Sequence, residues 1–195
     1  MDSFKSSELS DLLLAIRGGK DADLAFLELE SRYKSLMYSR VRRYFGAEGD
    51  LSEPLQEARI AIHNAALTYE AEQFDGVTFG LYAGVCVSNR LCSLLRKNAK
   101  LNEKACLLPD SDKIVAVGGP ESFVARKDLC ERVMRIAKAE LSDFEFQVFR
   151  MEIDQYTTAD IAKALGKTAK SIDNAKNRIH RLRDNKEICD ILFDI

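Results

Sequence analysis

Residues 141–183 read LSDFEFQVFRMEIDQYTTADIAKALGKTAKSIDNAKNRIHRLR, and the fold of the chain turns on them. Ser142 is placed to cap a helix, with Glu145 three residues on as its capping-box partner. Phe146, Phe149 and Ile153 then recur at helical spacing on one face. Thr157 or Thr158 can cap a short helix over 159–165, whose Ile161, Ala162 and Leu165 make a compact apolar face. Gly166 stands where a helix end needs positive φ. Thr168 can cap a last helix in which Ile172, Ala175, Ile179 and Leu182 face inward. That leaves Lys170, Ser171, Asn174, Asn177, Arg178 and Arg181 outside.

Small residues before a turn, glycine in it and a second helix with a polar, basic outer face are the layout of a helix-turn-helix. The outer face suits DNA. Lys and Arg neutralise phosphates, and Asn, Ser and Lys near a helix N-terminus can reach base edges in the major groove. A solvated amphipathic helix in an ordinary bundle shares the inward face. The glycine turn and the short alanine-rich partner helix favour DNA binding over it.

The run TTADIAKALGKTAKSIDNAKNRIHRLR resembles the C-terminal promoter-reading domain of bacterial sigma factors of the sigma-70 family. KSIDNAKNRIHRLR is most similar to the sporulation sigma-H-like branch, and the two-unit layout below also resembles small extracytoplasmic-function-type members. The resemblance implies that Thr168, Lys170, Ser171, Asn174, Asn177, Arg178 and Arg181 contact the −35 element.

With 195 residues, the chain can form one large or two small domains. Apolar residues make up 46%, which excludes a disordered chain, and the net charge of −2 excludes a generally basic nucleic-acid coat. DNA binding must come from local patches. Five scattered cysteines without a CxxC pair, and two histidines without a motif, argue against zinc and for free thiols in a reducing compartment. No cofactor is expected. The polar N-terminus has no signal-peptide pattern, and no apolar run approaches the roughly 18 residues of a membrane span. A cytoplasmic protein without a membrane partner is expected.

Upstream, residues 6–16 read as a short helix ended by Gly18 and Gly19. Asp21 or Asp23 is placed to cap a long helix over 24–45, with Leu24, Leu27, Tyr33, Leu36, Met37, Val41 and Tyr44 inside and Arg32, Lys34, Arg40, Arg42 and Arg43 outside. A third helix over 51–69 has Ser52 or Asp50 as cap and Pro54 near its first turn. A loop at 70–77 leads to a broadly apolar helix over 78–98. Residues 99–119 read as a linker containing Pro109 and ending at Gly118 and Gly119. Pro120 opens another helix to about 139, with Phe123, Leu129, Val133, Ile136 and Ala137 inside. A tail at 187–195 carries Ile188, Ile191, Leu192 and Phe193 among acids.

The expected fold is therefore all-α: two small helical domains joined by a linker, the C-terminal one a helix-turn-helix. The boundaries are 1–98, a linker at 99–119, and 120–195.

The sigma resemblance extends over the first domain. GGKDADLAFLELESRYKSLMYSRVRRYF is similar to the opening helices of a sigma factor's second domain. SEPLQEARIAIHNAALTYE resembles its polymerase-docking helix, which implies that Glu53, Gln56 and Glu57 meet the clamp coiled coil of the β′ subunit of core RNA polymerase. The family likewise implies that the C-terminal domain meets the β flap. FDGVTFGLYAGVCVSNRLCSLLRK resembles the stretch that melts and reads the −10 element. By that resemblance Phe74, Phe79, Tyr82, Asn89, Arg90, Ser93, Arg96 and Lys97 are its DNA contacts, the rings by stacking on unpaired bases.

Some residues depart from the family pattern. Val85 and Cys86 stand where housekeeping members carry a tryptophan pair, which implies an alternative factor with strict promoter needs. Pro54 is expected to interrupt the start of the docking helix, and the third sigma domain has no counterpart.

The expected function is promoter-specific initiation with core polymerase and promoter DNA as partners; an anti-sigma factor is a partner the resemblance leaves open. The alternatives are a helix-turn-helix regulator acting without polymerase and a sigma-like protein that only sequesters a partner. No placed acid–base pair, nucleophile or metal set points to an enzyme.

Overall fold

The computed structural model describes residues 8–19, 21–74, 76–101 and 120–180. Among them are eight α-helices and one 3-10 turn, with no strand, which is the all-α class. They group by contact into two units. One holds α1 (Leu9–Gly18), α2 (Ala22–Phe45), α3 (Ser52–Thr68) and the part of α4 (Phe79–Leu101) that starts at Cys86. The other holds the segment Glu70–Val85, which includes the 3-10 turn Ala71–Gln73 and the first turns of α4, together with α5 (Pro120–Glu140) from Val124 onward, α6 (Asp143–Ile153), α7 (Thr158–Leu165) and α8 (Ala169–Ile179).

In the first unit, α1 buries Leu12, Leu13 and Ile16 and stops where Gly19 takes φ 76°. That left-handed conformation is open to glycine at no steric cost. α2 buries Ala25, Leu29, Tyr33, Met37 and Val41, a strict four-residue stripe. Leu24 and Leu27, expected inside, fall off that stripe and are 45% and 53% exposed. Arg40, expected outside, is half-buried beside Tyr44, and the loss of water lowers its pKa. Asp21 stands at the N-cap of α2 but makes no side-chain cap bond. Its backbone is left-handed at φ 59°.

α3 packs through Ala58, Ala61, Ile62, Ala65 and Ala66, small side chains that let neighbouring helices approach. Asp50 accepts from the Ser52 amide at 2.9 Å and from its hydroxyl at 2.6 Å. Pro54 does not interrupt this helix. It lies buried in the first turn, where the missing amide has no intrahelical acceptor to lose. At the other end, Arg17 donates to the carbonyls of Ala66 (2.9 Å) and Tyr69, so a cation from α1 closes the carbonyl end of α3.

In the second unit the local signals are met in turn. Ser142 and Glu145 form the full capping box at the start of α6. The Thr157 hydroxyl accepts from the Asp160 amide to start α7, and Gly166 ends it at φ 61°. The Thr168 hydroxyl accepts from the Ser171 amide to start α8. Val148 and Phe149 are the buried residues of α6, while Phe146 and Ile153 are half-buried. On α5 the buried residues are Cys130, Val133, Met134 and Ala137, while Phe123, Leu129 and Ile136 are half-buried. The expected linker beyond residue 101, the tail at 187–195 and the positions of Leu182, Cys106 and Cys189 lie outside the described residues.

Candidate nucleic-acid interface

α8 turns Ile172, Ala175 and Ile179 inward. Lys170, Asp173, Asn174, Asn177, Arg178 and His180 are exposed and Ser171 is half-buried. Three- and four-residue steps place Lys170, Asp173, Asn174 and Asn177 on one continuous strip. Thr168 and Ser171 are already engaged with each other: the two hydroxyls are 2.9 Å apart, and Thr168 also holds the Ser171 amide at 3.2 Å. These two position the helix start. Arg181 lies outside the described residues.

The back of α8 is tied to α6 by charge. Arg178 donates to Glu145, and Lys176 lies 3.4 Å from Glu152. Glu145 also accepts from the Ser142 amide at 3.0 Å and the Ser142 hydroxyl at 2.7 Å. The Ser142 bonds, with Arg178 behind them, hold its carboxyl below the usual range. One carboxylate thus starts α6 and steadies an arginine of α8. The sequence reading missed this pairing, and nothing local announces it, because the partners are 33 residues apart. It also passed over Asp173. That residue could have been found, since it stands one step from Lys170 and Asn177 on the same exposed strip.

In the other unit, Glu53 and Gln56 are exposed on α3, while Glu57 is half-buried and paired with Arg90 of α4. A candidate polymerase contact and a candidate DNA contact therefore neutralise each other. Beside this ridge, α2 and α3 frame a groove of about 460 Å³ lined by Leu27, Lys34, Tyr38, Leu55, Gln56 and Arg59. Arg59 pairs with Glu30 at 2.9 Å and lies over the Phe26 ring. His63 meets the same ring edge-on with centroids 4.9 Å apart.

The aromatic candidates lie elsewhere than an open stacking surface. Phe74, Phe79 and Tyr82 are 3%, 1% and 0% exposed, with the Phe74 and Tyr82 rings 5.0 Å apart. Asn89 is buried too, and its Nδ2 has no acceptor among the described residues. Arg90, Ser93 and Arg96 are half-buried and Lys97 is exposed. Ser93 donates back to the Asn89 carbonyl at 3.0 Å. Farther up α4, Cys92 is enclosed beside Tyr44, and burial raises the pKa of both groups.

Among the described residues no helix is long and apolar enough to cross a membrane. Two curated proteins named RNA polymerase sigma-H factor are similar to the chain. The one from Bacillus licheniformis is 22% identical over 170 residues, covering 78% of this chain and 75% of that protein. The one from Bacillus subtilis (strain 168) is also 22% identical over 170 residues, covering 78% and 77%. The likeness supports a sigma factor of the sigma-70 family. A sigma factor acts in transcription initiation and is a non-enzymatic regulator. No family model matches the chain. No solved structure matches it.

Proposed function

We propose that the chain is a sigma factor that binds core RNA polymerase and directs initiation by reading −10 and −35 promoter elements, within the cytoplasm. The observation that carries the reading is the exposed strip of α8. Lys170, Asp173, Asn174 and Asn177 project from a helix that a glycine turn and a threonine cap set apart from α7. A helix so mounted fits a major groove, with amide and carboxylate groups for base edges and cations for phosphates. Arg178 and Arg181 belong with the phosphate contacts, and Thr168 and Ser171 with helix placement.

The proposed division of labour is residues 1–98 for polymerase and the −10 element, 99–119 as linker and 120–195 for the −35 element. The exposed Glu53 and Gln56, with Glu57 behind them, offer carboxylates and an amide to arginines of a partner helix such as the β′ clamp. Arg90, Ser93, Arg96 and Lys97 supply the backbone contacts at the −10 element. Phe74, Phe79, Tyr82 and Asn89 act there only once uncovered.

Transcription in vitro with purified core polymerase on host promoter fragments tests the reading. Transcripts that depend on the added protein are expected, with start sites that locate both elements. Binding to core without transcripts assigns a sequestering role, and absence of core binding leaves a helix-turn-helix regulator.

A further inference from the structure

We infer that Glu145 is a positioning residue for DNA: it holds the Arg178 guanidinium by its inner nitrogen, so that the outer nitrogens face a backbone phosphate beside α8. The inference rests on the −35 assignment proposed above.

The two oxygens of Glu145 have separate tasks. Oε2 accepts from the Ser142 amide at 3.0 Å and from the Ser142 hydroxyl at 2.7 Å. Those bonds fix the carboxylate over the first turn of α6. Oε1 is left for α8, and it accepts from Arg178 Nε. The Glu145 side chain is 14% exposed and the Arg178 side chain 47%. A guanidinium carries its N–H donors in a rigid plane, one on Nε and the rest on the two Nη atoms. Spending Nε on Glu145 leaves the Nη donors at the exposed end, in the planar fork that matches a phosphate. An arginine tethered in this way also has less side-chain freedom left to lose when a phosphate arrives.

Arg178 stands where such a contact is needed. At 3.6 residues per turn, the exposed strip of Lys170, Asn174 and Asn177 has Arg178 on one flank and Lys176 on the other. A helix lying in a major groove has a phosphate wall on either side, so a flanking cation meets backbone while the strip meets bases. The two flanks are held differently. Lys176 lies 3.4 Å from Glu152, with its side chain 21% exposed. An ammonium is a compact point charge, without a second edge to offer. Arg178 has that second edge, so it can keep Glu145 and take a phosphate together.

Glu145→Gln separates capping from positioning. A glutamine still completes a capping box with Ser142 through its carbonyl oxygen. Its NH2 group then faces Arg178 Nε, donor against donor. Glu152→Gln removes the same charge from α6 and is the control for bulk repulsion. The whole chain is titrated with a duplex that carries the −35 element of a mapped start site. Glu145→Gln should bind about threefold to tenfold more weakly than the parent, although it carries one negative charge fewer. The slope of log affinity against log salt should fall by about one, the share of one lost phosphate. Glu152→Gln should bind as tightly as the parent or tighter, with the slope unchanged. In an Arg178→Ala background Glu145→Gln should weaken binding no further, which a general loosening of the fold would not reproduce.

Tighter binding by Glu145→Gln overturns the positioning role and leaves Glu145 a repelling charge. An equal loss with and without Arg178 overturns it too. If the parent shows no salt-dependent preference for the element, the −35 reading fails instead. The NMR signal of the Arg178 Nε proton, slow to exchange in the parent and fast in Glu145→Gln, then still decides whether Glu145 holds the guanidinium.

Discussion

Asp154 shows how much one side chain's setting matters. Enclosure by protein pushes its carboxyl up to about 6, against weaker opposing help from the Gly80 amide, the Thr78 hydroxyl and Arg150. Its folded pKa lies above its unfolded value of 3.8, so the folded state binds more protons between the two. Stability from this group is therefore fullest below pH 4 and is lost as pH rises through about 6, by an amount on the order of 2–3 kcal/mol. Asp154→Asn keeps an acceptor for Gly80 and removes the charge. Thermal unfolding should show the variant more stable than the parent at pH 8 and level with it at pH 4; parallel curves across that range would sink the account.

Asp173 makes a second residue-scale prediction. A carboxylate repels phosphate but accepts from the exocyclic amino group of cytosine. Asp173→Ala should relax base preference at one position of the −35 element, at about 1–3 kcal/mol of discrimination, in a binding selection on randomised DNA. A uniform rise in affinity over all sequences would show that Asp173 only repels the backbone.

At the scale of elements, α8 depends on the turn before it. Gly166 has φ 61° with open space around it, so a side chain there meets no neighbour and the strain is wholly in the backbone. Gly166→Ala should cost about 1–2 kcal/mol through the left-handed conformation alone. Ile172→Ala, by contrast, empties a fully buried site between α8 and its neighbours and should cost about 2–5 kcal/mol. Chemical denaturation ranks the two, and a larger loss at Gly166 would contradict the packing described for α8. The element scale also explains why helix ends were legible from local signals. Ser142, Thr157, Gly166 and Thr168 act on amides and carbonyls within a few residues of themselves. Which side of α2 faces inward was less legible. Leu24 and Leu27 are apolar, but the stripe from Ala25 to Val41 takes the core and leaves them at the surface.

At the scale of the whole molecule, the two proposed interfaces should fail independently. Glu53→Ala with Gln56→Ala removes exposed groups from α3 and should weaken binding to core polymerase while leaving the protein's DNA affinity and its unfolding midpoint in place. Binding of either promoter element should fall steeply with salt, because each neutralised phosphate releases counterions. A salt-independent interaction would exclude the phosphate contacts assigned to Lys170, Arg178 and Lys97.

The all-α class and the caps that start α6, α7 and α8 were within reach of the sequence alone. They depend on periodicity, on capping chemistry that acts over a few residues, and on motifs that stay contiguous. What only the tertiary structure decided were meetings between residues far apart in the chain. Glu57 with Arg90, Glu145 with Arg178, and Gly80 with Asp154 are 33, 33 and 74 residues apart. The burial of Phe74, Phe79 and Tyr82 is of the same kind. A ring at helical spacing serves equally as core or as stacking platform, and only what packs over it chooses between them.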